Sequence, residues 1–288
     1  MRPELTLFFK ESPIFKGPVS RREALYWITL IFAFSNVASR AESSSIFSFV
    51  TAFTELNLVY WCCYIAIFRA VAASKNDILD STTISLWAVV GLLLLCLSFT
   101  SMQSLDGAVA TLIALFLWRK YGNDNGLLQA SIIFFALSVN LLWAPILFAI
   151  LKEPIVLADT ILTQGLLTSA GYEVERQVNA VSVGNDFYIT VVGACSVFNN
   201  ISLGVLATVS LIVCFGGTPI RRDFWGAALI CVLLILFNTI RLAVFASSST
   251  AYHFWHNGDG AIILAATQTV IIFGVATLVA IRERPKLV

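Results

Sequence analysis

From Phe224 to Ser247 the chain runs for 24 residues with a single charged side chain, Arg241. At 1.5 Å per residue such a run, folded as a helix, is long enough to cross the hydrocarbon core of a bilayer, which needs about 20 apolar residues. The pattern recurs. Eight apolar stretches are read at roughly 23–39, 46–68, 83–102, 105–118, 127–151, 196–217, 224–247 and 260–281. The first and fourth are the shortest. Only 12% of the residues are charged and 58% are hydrophobic, whereas a soluble domain carries about 25% charged residues. The fold expected is an all-α membrane protein, a polytopic bundle of about eight transmembrane helices.

The basic residues give that count an independent check, because cytoplasmic segments of membrane proteins are enriched in Lys and Arg. With eight spans and the N-terminus inside, Arg2, Lys10, Lys16, Arg21, Arg22, Arg69, Lys75, Arg119, Lys120, Arg221, Arg222, Arg282, Arg284 and Lys286 all fall on the cytoplasmic side, 14 of the 18 Lys and Arg. Arg40, Lys152 and Arg176 fall outside, and Arg241 lies within a span. A missed span would invert every later segment and destroy this asymmetry. The expected organisation is a cytoplasmic segment 1–22, a five-span region 23–151, an extracytoplasmic segment 152–194, a three-span core 195–281 and a cytoplasmic tail 282–288. The leader 1–22 is mixed polar and basic and lacks the apolar core of a cleaved signal peptide. The setting expected is the cytoplasmic membrane, with both termini in the cytoplasm. Arg221 and Arg222 are read as topology determinants on the side opposite the site described below. The net charge of +1 gives nucleic-acid binding no electrostatic support.

The outer segment has its own signal. Tyr172, Val174, Arg176 and Val178 alternate, then Val181 and Val183, then Phe187, Ile189 and Val191 after a Gly184-Asn185-Asp186 turn. Alternating β-branched and aromatic residues around such a turn read as short strands. The parity of the apolar positions switches near Ala180, so one continuous strand is excluded. A small β element before the sixth helix is expected, against the outer mouth of the bundle.

Three kinds of reactive side chain converge on this outer face. Of six cysteines, Cys62, Cys63, Cys96, Cys214 and Cys231 sit in apolar runs and read as small packed hydrophobes. Cys195 sits where the outer segment enters the sixth span, and a helix N-terminus there favours a thiolate. Arg241 lies six residues short of the outer end of the seventh span. A charge within a span is costly and marks a functional candidate. Asn238, three residues earlier, shares its helical face. His253 and His256, the two histidines of the chain, fall in the outer loop before the eighth span, and imidazole moves protons near neutral pH. A nucleophile, a cation and a base on one face fit thiol-based acyl transfer. No CxxC or Cys/His metal spacing and no intramembrane aspartate pair is read, and the intramembrane charge is taken as confined to one arginine. A transporter, whose polar groups would thread several spans, and a non-catalytic envelope polysaccharide assembly factor are the competing readings.

The sequences Gly193-Ala194-Cys195-Ser196, Asn238-Thr239-Ile240-Arg241 and His256-Asn257-Gly258-Asp259-Gly260 resemble the exosortase/archaeosortase family. That family shows an Ala-Cys-Ser/Thr box opening a span, an N-x-x-R box late in the next, and a histidine three residues before a glycine in the following outer loop. The resemblance covers about 160–281, and 1–150 reads as a generic multi-span region. Where the family usually has glycine after Cys-Ser, this chain has Val197. The resemblance implies a cysteine protease or transpeptidase that cuts C-terminal sorting signals of the PEP-CTERM type on exported proteins. The catalytic residues would be Cys195, Arg241 and His256, supported by Asn238, Ser196 and His253, with no cofactor. Its implied partners are the sorting-signal helix and the lipid bilayer, with water or a lipid or polysaccharide acceptor taking the new C-terminus.

Overall fold

The computed structural model describes residues 19–41, 46–98, 100, 102–184 and 187–281. The expected cytoplasmic leader up to residue 18, the tail from 282 and the Asn185-Asp186 part of the turn lie outside these. The described chain is mostly helical and divides into two compact units, one within Met1–Leu142 and Val209–Thr218, the other within Trp143–Thr208 and Pro219–Val288.

The first unit is built from α1 (Arg21–Ala38), α2 (Ile46–Glu55), α3 (Leu58–Ala73), α4 (Ser81–Leu97), α5 (Gln103–Tyr121) and α6 (Asn125–Ser138). Three of these starts have a side-chain cap. Ser20 and Glu23 form a capping box on α1, the Asn57 side chain accepts from Val59 N–H, and the Asp124 carboxylate accepts from Gly126 and Leu127 N–H. Asn57 also corrects an expectation. The apolar run 46–68 is two helices, because the asparagine ends one and caps the next. α3 and α6 cross closely, since a Cβ on Gly126 would lie 2.4 Å from the Ala70 carbonyl oxygen. Around this unit's helix ends Arg21 pairs with Asp77 and lies 3.5 Å from Asp124, while Arg22 Nε donates to the Ser74 carbonyl at 2.9 Å.

A second correction lies in α5. Asp106 is 1% exposed and accepts from Ser35 Oγ at 2.8 Å and Ser39 Oγ at 3.2 Å. Ionisable side chains within the apolar runs are therefore not confined to Arg241. The hydropathy of 105–118 hides Asp106 because one acid near a run's start barely lowers its average.

The second unit positions the site. α6 passes through a π-helical turn, Val139–Trp143, into α7 (Ala144–Ser169). α7 runs 18 residues past the expected boundary at 151. Lys152, Glu153 and Pro154 read as a helix end, but the helix absorbs Pro154 in a kink with Leu151 at φ −105°, ψ 17°. Strands β1 (Val174–Gln177), β2 (Ala180–Val183) and β3 (Tyr188–Thr190) then form an antiparallel sheet in the order β1-β2-β3, with Val174 opposite Val183 and Val181 opposite Ile189. The parity switch near Ala180 is the two-residue turn Val178-Asn179. Val178 takes φ +47°, a conformation that a β-branched residue rarely adopts, and its carbonyl accepts from Thr160 Oγ1 at 3.3 Å.

After a 3-10 turn, Gly193–Cys195, come α8 (Phe198–Cys214), α9 (Asp223–Ser247), the short α10 (Ser249–Tyr252), a π-helical turn His253–Asn257 and α11 (Asp259–Ile281). The inner faces of sheet and helices meet in one apolar cluster: Val156 and Leu167 of α7, Val181, Ile189 and Val191 of the sheet region, and Leu242, Ala243, Phe245 and Ala246 of α9. On α9 the outward face is apolar, unlike that of a soluble helix, and the mainly apolar inward face also carries polar side chains. Leu229, Val232, Leu236 and Ile240 are exposed, while Asn238 and Thr239 are buried. An exposed apolar stripe with amide and hydroxyl groups turned inward is stable with lipid as the surrounding solvent. Helical runs covering Asn125–Ser169, Asp223–Ser247 and Asp259–Ile281 are each long and apolar enough to cross a membrane, and shorter apolar helices accompany them.

Candidate active site

Cys195 ends the 3-10 turn and stands three residues before α8 begins at Phe198. The turn is held by Cys195 N–H donating to the Val192 carbonyl at 2.8 Å and Ser196 N–H donating to the Gly193 carbonyl at 3.2 Å. Gly193 is required by space. A Cβ there would come 2.9 Å from Phe148 Cε1, and Phe148 packs on Phe198 with ring centroids 5.7 Å apart. Cys195 is half-buried and packs on the apolar cluster beneath the sheet. The expected entry of Cys195 directly into a helix is thus corrected to a turn leading toward one.

Arg241 reaches this turn from α9. Its Nη2 donates to the Cys195 carbonyl oxygen at 3.0 Å, and its charge lies within electrostatic reach of the cysteine side chain. Its Cζ is 5.6 Å from the Phe245 ring centroid, one helical turn on. Nε is buried without a hydrogen-bond partner among the described residues. A desolvated guanidinium with donors to spare can receive a developing oxyanion.

His256 is not bonded to Cys195 or Arg241 among the described residues. It lies across Phe245, with ring centroids 5.4 Å apart at 74°, and stacks on Tyr252 at 4.7 Å and 11°. Its Nδ1 is 2.7 Å from Asn257 Oδ1. If Nδ1 donates there, Nε2 carries the lone pair. His253 is exposed and contacts the edge of Tyr252. Both histidines sit on a π-helical turn rather than in an irregular loop. The structure therefore brings Arg241 onto Cys195 and links His256 to Arg241 through one aromatic ring.

Asn238 does not hold Arg241. It is 2% exposed and makes no closed hydrogen bond. Asp159 of α7 lies in the same buried region, but among the described residues no hydrogen bond joins it to Asn238, Ser196 or Val197. Asp159 is 5% exposed, its Oδ2 lacks a closed partner, and Arg241 is within electrostatic reach. Asp159 is not among the residues the sequence singles out, because 152–194 reads as a segment outside the membrane. Val156, Asp159, Thr160 and Thr163 recur at helical spacing on one face, all buried, and that periodicity was the available signal. Phe245 and Tyr252 were passed over for another reason, since their roles depend on the partner they stack with. Among the described residues no three His, Cys, Asp or Glu side chains converge as metal ligands would.

Fold and site together define a multi-pass membrane protein with a cysteine, a guanidinium and an imidazole gathered where its helices meet a small sheet. A family model described as transmembrane exosortase (Exosortase_EpsH) matches residues 51–274. The chain belongs to the exosortase family. The match begins well before 160, so much of the N-terminal region is also family-specific rather than a generic multi-span region. No curated protein and no solved structure matches the chain.

Proposed function

We propose that the protein is a cysteine protease or transpeptidase that cleaves C-terminal sorting signals of exported proteins at the outer face of the cytoplasmic membrane. The observation that carries this reading is the Arg241 guanidinium on the Cys195 carbonyl at 3.0 Å. It ties an intramembrane cation to the one cysteine that lies in a turn between sheet and helix. In this reading the Cys195 thiolate attacks the scissile carbonyl carbon and forms a C–S bond. Arg241 stabilises the oxyanion. The C–N bond then breaks, and His256, protonated at Nε2 by the proton taken from the Cys195 thiol, gives that proton to the leaving amine. The acyl group leaves the thioester for water or an amine acceptor, which restores the thiol. His256 lies across Phe245 from Arg241, and substrate entering between them would close the gap, since catalytic hydrogen bonds often tighten only in the complex.

The accompanying topology has eight spans, α2 and α3 together forming the second, with both termini in the cytoplasm and the β1–β3 sheet outside. The distribution of basic residues supports it. The substrate's own transmembrane helix would dock laterally, presenting its motif to Cys195. The test is processing of a tagged protein ending in a motif, a helix and a basic tail. Conversion by the native chain and its loss in Arg241→Gln at equal membrane levels is the expected result. Equal conversion by both removes Arg241 from the mechanism.

A further inference from the structure

Asp159 belongs to none of the boxes that define the resemblance, yet it occupies the centre of the site. It sits one turn after Val156, which packs in the same cluster as Cys195 and Leu242. α7 thereby brings a buried carboxylate to the face that packs on α9 in the region of Cys195. Among the described residues no hydrogen bond closes on Asp159 Oδ2, and Arg241 lies within its electrostatic reach. Arg241 feels both Asp159 and the Cys195 side chain. One cation therefore stands between two groups able to carry negative charge, in a setting where an unpaired charge is expensive. A purely structural zipper between α7 and α9 would close its hydrogen bonds. Here Asp159 Oδ2, both polar atoms of Asn238 and Arg241 Nε remain open, as in a site that holds charge ready for a substrate.

We propose that Asp159 is the positioning residue of this site: its buried carboxylate counterbalances Arg241 and so keeps the guanidinium on the Cys195 carbonyl. The proposal rests on the cysteine-enzyme reading above.

The test uses the full chain purified in detergent. Cys195 is alkylated at fixed pH with neutral iodoacetamide or anionic iodoacetate, and modification is followed by peptide mass mapping. The exposed Cys96 serves as internal control. Asp159→Asn removes a negative charge while keeping shape. The iodoacetate-to-iodoacetamide rate ratio at Cys195 is expected to rise by about threefold or more, as a nearby charge acting through a poorly screened medium requires, with no change at Cys96. Arg241→Gln is expected to lower the ratio, and the double variant to return it toward the native value. Processing falls in Asp159→Asn and recovers in Asp159→Glu. Equal acceleration of both reagents in Asp159→Asn means loosening alone and overturns the proposal, as does an unchanged ratio. If Asp159→Asn is not recovered from membranes, Arg241→Gln and the double variant decide: an unmoved ratio in both overturns the proposal. Processing that survives Cys195→Ala refutes the enzyme reading instead, and leaves the alkylation ratios standing as a separate measurement.

Discussion

Replacing Arg241 with glutamine removes a charged donor while keeping most of the side chain's length. In the structure that donor makes one hydrogen bond, Nη2 to the Cys195 carbonyl at 3.0 Å, in a desolvated setting. Hydrogen bonds to charged groups contribute about 1.5–3 kcal/mol net. At about 1.4 kcal/mol per tenfold in rate, loss of this interaction in the transition state predicts about a 10- to 150-fold fall in processing. Arg241→Lys keeps the charge but not the planar fork, and should fall between native and Arg241→Gln. The assay is the initial rate of conversion of a tagged substrate in membranes, normalised to the amount of enzyme by immunoblot. A normally expressed Arg241→Gln within twofold of native would refute the reasoning, since an arginine that merely reached toward the headgroups would be replaceable.

Gly193→Ala forces a Cβ to 2.9 Å from Phe148 Cε1 and should lower processing severalfold by shifting the cysteine turn, with membrane levels maintained; native-like rates would show that the turn tolerates the shift. Gly204→Ala places a Cβ 2.7 Å from Ile230 Cγ2 where α8 meets α9. Overpacking of this kind costs about 1–3 kcal/mol, so thermal unfolding in detergent should begin several degrees lower. His256→Ala should reduce processing far more than His253→Ala, and the reverse order would exchange their roles. Single cysteines placed at Ser182 and at Arg221 in a chain otherwise lacking cysteine should react oppositely with a membrane-impermeant maleimide in intact spheroplasts. The Ser182 position should label and the Arg221 position should not.

What the sequence made legible follows from which interactions are local. Apolar runs and basic flanks depend on solvent and charge along the chain, so a multi-pass helical membrane protein could be read from them directly. The alternation of Val174, Val181 and Ile189 gave the β element, and the parity change at Ala180 located its turn. Helix ends were less legible. Asn57 splits a continuous apolar run by capping a helix, and Pro154 fails to end one because a kink absorbs it. At the site, Cys195, Arg241 and His256 were readable as rare residue types in unusual places. Their mutual geometry was not. Arg241 meets the cysteine's carbonyl, Asn238 is buried without a closed hydrogen bond, and His256 is held by Tyr252 and Phe245. Those contacts join residues from different helices, and no spacing along the chain encodes them.

The central claim is that Cys195 is a nucleophile. Cys195→Ala and Cys195→Ser, expressed at native levels with a tagged substrate ending in a motif, a helix and a basic tail, test it most directly. The account predicts that the substrate shifts in size with the native chain and stays full length with both variants. Processing that persists without the Cys195 thiol would contradict it and bring the transporter and assembly-factor readings forward.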